Sequence, residues 1–344
     1  MGTLSRRVSV KESRSKLVKW HDSHMEIVSN PTQIQIKNAA KALKDGHLVA
    51  FPTETVYGLG ADATNEEAVG RIYSVKNRPK DHPIIVHISS SNQMYKWATD
   101  IPEYANMLAK DFWPGPMTLI LNRSNLAKNC ITGGQSNVGI RVPQNYVAQT
   151  LLNEFEKIGG HGIAAPSANR FRAVSPTTAI AVVEELGNFL TKKDLIIDGG
   201  SCTIGIESSI IDCTGNFPKV LRSGAITNRM IQDLCGLTDI NPVNGNTIKA
   251  PGLLDSHYSP HAKVVLDSVA NSGDGFLALA DIPTPQGAIR LASPVSVEDY
   301  ARELYSALRL SDKKKLKRVV ILLPSGEGLA VAIRDRAAKA AAGK

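Results

Sequence analysis

Cysteine is scarce in this 344-residue chain: Cys130, Cys202, Cys213 and Cys235 are the only four, and no two are spaced as C-x-x-C. That spacing suits buried thiols in a reducing compartment better than a disulfide frame or a zinc site. Long apolar runs are missing too. The longest, such as Val319–Leu323, fall far short of the roughly 20 residues a membrane span needs. No apolar stretch follows the start as a secretory signal requires, and Arg6 stands where a myristoylation signal wants Ser or Thr. A cytoplasmic protein with no membrane contact is expected. The common nucleotide fingerprints, G-x-x-x-x-G-K-[ST] and G-x-G-x-x-G after a strand, are absent, and so is the G-x-S-x-G elbow of hydrolases. His257 and His261 have the spacing of a metal pair, but Pro260 between them breaks the helix such a pair needs. No metal ligand set is expected.

What is present is ordinary globular composition, 42% hydrophobic and 21% charged, in a chain long enough for two domains. The charge is unevenly placed. Of a net +8, residues 1–20 carry +5 and residues 302–344 carry +7, so residues 21–301 are net −4. Cationic chemistry in the body of the chain therefore rests on a few placed residues. The N-terminal SRRVSVKESRSKLVK reads as a disordered basic tail, with RNA contact or organelle targeting as competing readings.

From residue 30 on, helical and strand periods alternate. Asn30 and Pro31 offer a cap and a first helical position for a helix ending near Gly46, and HLVAF then reads as a buried strand. NEEAVGRIYSVKN and PEYANMLAKDF read as helices; PIIVHI, MTLILN, VGIRVP, GIAAP, LIID, SSIIDC and KVLR read as strands. In SPTTAIAVVEEL, Ser175 is the expected cap and Pro176 the first helical residue. The class is α/β with a twisted, open, mixed sheet. A Gly-, Asn- and Pro-rich stretch then reads as a linker, followed by a smaller three-layer α/β unit with a helix from Ser296. The expected layout is a tail over 1–29, a catalytic domain over 30–235, a linker over 236–261 and a small C-terminal α/β domain over 262–344.

Polar residues gather where these elements end. KNRPKDHP places Lys76, Arg78, Lys80 and His82 in a loop stiffened by two prolines, as a polyanion site needs. Arg141 ends an apolar strand, where an ion pair and a ligand contact are equally open readings. Ser167, Asn169 and Ser175 follow another strand, and Arg222 ends KVLR. No nucleophile–base pair and no metal cage is evident, which suits a site that positions polar substrates and neutralises a triphosphate.

In order and spacing, PTETVYGLGADA, KNRPKDHPIIVHI, GPMTLIL, GIRVP, APSANR with SPT, GIESSIID and VLRSGAI resemble the YrdC-like threonylcarbamoyl-AMP synthases over residues 33–228. APGLLDSHYSP resembles the linker of the family's long, two-domain form, whose C-terminal domain is Rossmann-like. The resemblance implies a sheet with a concave cavity and synthesis of threonylcarbamoyl-AMP from L-threonine, bicarbonate and ATP, with Mg²⁺ arriving with ATP. The product would serve a downstream tRNA threonylcarbamoyl transferase complex, with tRNA contact as a further expectation.

The same resemblance assigns Thr55, His87, Arg141, Ala165 and Ser208 to L-threonine. It assigns Lys76 and Arg78 to the phosphates as catalytic groups. Arg78, His82, Asn137, Ser167, Asn169, Ser175, Arg222 and Tyr258 fall to ATP. His82 stands where asparagine is usual in the family, and Phe171-Arg172 replace a common Ser-Gly, so the departures lie on the nucleotide side. Two alternatives compete. Related modules make carbamoyl-AMP in hydrogenase maturation, but they carry zinc-finger cysteines and extra domains absent here. A double-stranded RNA or tRNA binding module without chemistry would use the same surface.

Overall fold

Alternation along very short strands decides the architecture. The computed structural model describes residues 17–18, 26–237, 248–254 and 257–343. Its large mixed sheet runs, edge to edge, Leu17–Val18, Glu26–Ser29, Leu195–Asp198, Val49–Phe51, Gly58–Asp62, Ile163–Ala164, Val86–His87, Asn137–Arg141, Met117–Asn122, Ser209–Asp212 and Lys219–Arg222. Successive residues of a strand face opposite sides. Val49 and Phe51 thus pack with the helices Gln33–Lys44 and Tyr146–Lys157, while Ala50 joins the larger core under Glu66–Lys76, Glu103–Phe112 and Ala179–Leu186. Ile197 and Ile196 divide in the same way.

The sheet begins earlier than the sequence indicates. Glu26–Ser29, assigned above to the basic tail, pairs in parallel with Leu195–Asp198. The rest of that tail, apart from Leu17–Val18, lies outside the described residues, as do 238–247 and 255–256 of the expected linker. Two caps also shift. The first helix is capped by Thr32, whose side chain accepts from Gln35 N–H while Gln35 reciprocates, and not by Asn30. The helix expected from Ser175 begins at Ala179, capped by Thr178, which accepts from Ala181 N–H at 3.2 Å. Ser175 therefore sits before the helix, free to bond elsewhere.

The second domain is a four-stranded parallel sheet in the order Lys263–Leu266, Arg318–Ile321, Gly275–Leu277, Ile289–Ala292. Helices Val297–Lys313 and Leu329–Ala341 cover one face, where Tyr300, Leu304, Leu308 and Ile333 pack with Val319 and Ile321. Val320 and Phe276 point the other way, against Ala270 and Ile282. Loops supply that third layer. The two domains share a core: Val56, Val174 and Ile206 of the first belong to the same buried cluster as Tyr300, Leu304 and Tyr305.

Close approach at this junction depends on Gly205. Its φ is +87°, and a Cβ there would stand 2.4 Å from Arg302 Cα and 2.7 Å from Ala301 O. Gly205→Ala is expected to cost at least about 1–2 kcal/mol for the left-handed backbone alone. Scanning calorimetry should show a Tm several degrees lower. Gly215→Ala, with nothing within 4 Å of its new methyl, should leave Tm nearly unchanged.

Candidate functional site

Strand ends from the large sheet converge with the linker on one cavity. It is lined by Thr53, Thr55, Val56, Gly58, Arg78, Ile85, His87, Arg141, Ala165, Pro166, Ser167, Glu207, Ser208, Arg222, Pro251, Gly252, His257 and Tyr258, around about 60 Å³ of free space. Nine of the residues singled out from the sequence meet here: Thr55, His87, Arg141, Ala165, Ser208, Arg78, Ser167, Arg222 and Tyr258.

Register explains the first group. His87 and Arg141 are partners in adjacent parallel strands, so their side chains leave the same face. Arg141 donates to Thr55 Oγ1 at 2.9 Å, to Glu54 Oε1 at 2.6 Å and to Gly115 O at 3.3 Å. Of the two open readings the ion pair is present: Arg141 is half of a buried pair with Glu54, and it also lines the cavity. A guanidinium has five donors, so two N–H groups remain beyond these three bonds. Thr55 is held by its neighbour Thr53, whose Oγ1 accepts from the N–H groups of Thr55 and Val56 at 3.2 Å each. Ala165 gives its N–H to Ile85 O at 3.0 Å. Burial, with Arg141 close by, pushes His87 down to about 3, so its ring is neutral; its Nδ1 is buried without a hydrogen bond.

Ser208 and Arg222, expected on opposite sides of the site, are directly bonded. Arg222 donates to Ser208 O at 2.9 Å and to Ser208 Oγ at 3.1 Å, and reaches the linker at Pro251 O, 2.8 Å away. Thr118 Oγ1 lies 2.8 Å from Ser208 Oγ. Arg78 anchors on Pro83 O at 2.9 Å, its Nε is buried and unpaired, and burial lowers it to about 10. Three guanidinium groups therefore face one lining carboxylate, Glu207.

The other assigned residues stand behind the wall. Lys76, fully buried, donates to Ser167 O at 2.6 Å and to Asn169 O, so it holds the loop that carries Ser167 and does not reach the cavity. Asn169 donates to Arg170 O and Ala173 O, at 2.7 and 2.8 Å. His82 lies edge-on to Phe171, with ring centroids 5.2 Å apart, and burial lowers its pKa. Asn137 is buried at the start of its strand, opposite Asn122. Ser175 donates to Glu207 Oε1 at 2.7 Å.

Glu207, which lines the cavity, and Glu54, which holds Arg141, are the side chains of the site that the sequence reading passed over; His257, weighed there only as half of a metal pair, lines the cavity as well. Glu207 also accepts from Tyr305 Oη at 2.8 Å and Arg336 Nε at 3.1 Å. Burial pushes its carboxyl up, but Arg336, Arg222 and these hydrogen bonds outweigh that and hold it down at about 2. The signal available was an acid set beside hydroxyls at the start of an apolar run, Glu207 in GIESSII and Glu54 in PTETV. The linker is stitched down by Lys249, which pairs with Asp81 at 2.8 Å, and by Lys339, which donates to Gly252 O at 2.9 Å. Gly252 is required there: at φ +80° its Cβ would lie 2.5 Å from the Tyr258 hydroxyl.

Residues 41–224 match the Sua5/YciO/YrdC family model, described as telomere recombination. Residues 226–342 match that of the threonylcarbamoyl-AMP synthase C-terminal domain. The chain is 39% identical over 325 residues to the threonylcarbamoyl-AMP synthase of Pyrococcus abyssi, covering 89% of this chain and 94% of the relative. It is 35% identical over 337 residues to that of Bacillus subtilis, covering 90% and 94%. In structure it is similar to P. abyssi Sua5 complexed with L-threonine, with a TM-score of 0.83 and 36% identity over 92% of this chain and 98% of that one.

The Glu54–Arg141 pair gives a stability test. Glu54→Ala strands a buried guanidinium and is expected to lower the unfolding free energy by about 3–5 kcal/mol in a denaturant titration. Arg229→Ala, which breaks a pair exposed at 80% and 59%, should change it by less than about 1 kcal/mol.

Proposed function

The chain belongs to the threonylcarbamoyl-AMP synthase family, and we propose that it joins L-threonine, bicarbonate and ATP into L-threonylcarbamoyladenylate and releases pyrophosphate in the cavity described above. It is an adenylate-forming enzyme of the nucleotidyltransferase type. One observation carries the assignment of the reaction to this cavity: its wall presents three guanidinium groups and several hydroxyls, without any lining Ser or Thr hydroxyl bonded to a histidine. Such a wall neutralises and positions; it has no nucleophile to offer.

The threonine amine adds to bicarbonate with loss of water, or to CO₂ with loss of a proton, to give a carbamate. A carbamate oxygen then attacks the α-phosphorus of ATP, a P–O–C bond forms, and the bond to the pyrophosphate oxygen breaks. Arg141 takes the threonine carboxylate with its two remaining N–H groups, beside Thr55 and neutral His87. Arg222, bonded to Ser208, stands where carbamate and α-phosphate meet. Arg78 screens the charge that grows on the leaving pyrophosphate, and Lys76 acts indirectly by fixing the Ser167–Asn169 carbonyls. Mg²⁺ belongs to the substrate, MgATP. Among the described residues no group of three His, Cys, Asp or Glu side chains comes together to hold a metal ion, and Glu207 is engaged by its own partners. The donor set therefore fits a metal carried by phosphate oxygens and water.

The free space of about 60 Å³ is well under the roughly 300–1,000 Å³ of small-molecule sites. Pro251, Gly252, His257 and Tyr258 draw back to admit ATP and then cover the product, a mixed anhydride that water destroys. The product is the donor for threonylcarbamoyladenosine in tRNAs reading codons that start with A and passes to a transferase complex, in the cytoplasm. Exposed Lys314, Lys315 and Lys317 offer the surface for tRNA contact. RNA binding without chemistry draws no support from relatives named for an enzyme. No helix of the described residues is long and apolar enough to cross a membrane.

Pyrophosphate release from ATP should depend on both threonine and bicarbonate; release that ignores threonine would sink the assignment. Arg141→Lys keeps the charge facing Glu54 but loses the planar two-point donor. It should raise the KM for threonine roughly 10- to 150-fold, the worth of a charged hydrogen bond, and leave the KM for ATP nearly unchanged. Tyr258→Ala should release more free AMP per pyrophosphate as the adenylate hydrolyses, read by chromatography of the nucleotides.

A further inference from the structure

Glu207 is the one carboxylate among the residues lining the cavity, and two of the three groups that hold its oxygens come from the other domain. Tyr305 Oη and Arg336 Nε share Oε2 at 2.8 and 3.1 Å, while Ser175 Oγ holds Oε1 at 2.7 Å. Arg336 is completely buried and 129 residues away in sequence. Its guanidinium also lies 5.8 Å from the ring of Tyr258, which stacks on Tyr305 with centroids 5.4 Å apart. A carboxylate here, deprived of its partner, would face an incoming triphosphate across a medium that screens poorly. Arg222, the other nearby cation, is already committed to Ser208 and Pro251.

We propose that Arg336, with Tyr305, is a positioning residue for ATP: from the second domain it neutralises and orients Glu207, so that the cavity wall accepts a polyanion and Ser175 stays fixed beside it. The inference rests on reading this cavity as the site of adenylation. It gives the C-terminal domain a task in the reaction itself, acting through Glu207 and not by touching substrate. The specific consequence is an effect on ATP and not on threonine, since Glu207 makes none of the bonds that hold Arg141, Thr55 or His87.

The test uses the full chain and steady-state pyrophosphate release with ATP and threonine varied separately. Arg336→Met is expected to raise the KM for ATP at least about tenfold and leave that for threonine within about twofold. Adding Glu207→Gln removes the stranded charge and should bring the KM for ATP back to within about threefold of the parent, a non-additive rescue. Arg336→Lys should recover most of the loss. If Arg336→Met fails to fold, Tyr305→Phe, which deletes a single hydroxyl, should still raise the KM for ATP severalfold. A double variant no better than Arg336→Met, equal rises in both KM values, or an unchanged KM for ATP in Tyr305→Phe would reduce Arg336 to a domain contact. A parent chain without threonine-dependent pyrophosphate release would instead overturn the adenylation reading, and this inference with it.

Discussion

A carboxylate taken out of water has to be surrounded by donors, and around Glu207 those donors come from three separate stretches of chain. Losing its hydration costs several kcal/mol before any partner is found. Ser175, Tyr305 and Arg336 supply hydrogen bonds, and Arg336 supplies the opposite charge. Much of the molecule follows from satisfying this one group. The helix Leu329–Ala341 docks where Arg336 can reach it, Val297–Lys313 docks where Tyr305 can, and Val56, Val174 and Ile206 are buried in the process. Glu207 itself sits two residues before the strand Ser209–Asp212, which is locked in parallel to Met117–Asn122. The linker's Tyr258 ring then fits against Tyr305 and Arg336. Cavity wall, domain junction and linker are one packing problem.

The cations of the site are equally constrained. Arg141 is fixed by Glu54, Thr55 and Gly115, Arg222 by Ser208 and Pro251, Arg78 by Pro83, and Lys76 by two carbonyls. Long basic side chains normally carry much rotamer freedom. Here it has been spent during folding, so little reorganisation is left for the moment of reaction. The chain's net +8 says almost nothing about this, because the body between residues 21 and 301 is net negative. Placement matters, not bulk charge.

Local signals were legible where one solution dominated. Asn65 caps Glu66–Lys76 and Ser296 caps Val297–Lys313 as their motifs indicate. Where two caps competed within a few residues, the sequence could not choose. Thr32 prevails over Asn30 because Gln35 returns its hydrogen bond, and Thr178 over Ser175 because Ser175 is taken by Glu207. PIIVHI and GIAAP read as full strands but pair over two residues each; Ile85, Ala165 and Pro166 beside the paired residues line the cavity. The motif residues that line the cavity could be read from local chemistry and family resemblance together. Their partners could not: Glu54 and Arg141 are 87 residues apart, Glu207 and Arg336 are 129, and no local period records such a pairing. Lys76 looks like a phosphate ligand in sequence for the same reason; only the fold reveals the two carbonyls that claim it.

The domain junction also has a consequence in time. A ribosome that has delivered the chain as far as Tyr258 has already made Arg78, Arg141 and Arg222, yet Glu207 still waits for a side chain 129 residues further on. At roughly 5–20 residues per second, the interval between Tyr258 and Arg336 lasts about 4–15 seconds. During it the nascent first domain carries in its cavity wall an acid that has Ser175 and nearby Arg222 but lacks Arg336, and Val56, Val174 and Ile206 lack their full cover. Synthesis thus imposes an order: Leu329–Ala341, made after every other described element, is the helix that brings Arg336 to Glu207 behind the first domain's cavity.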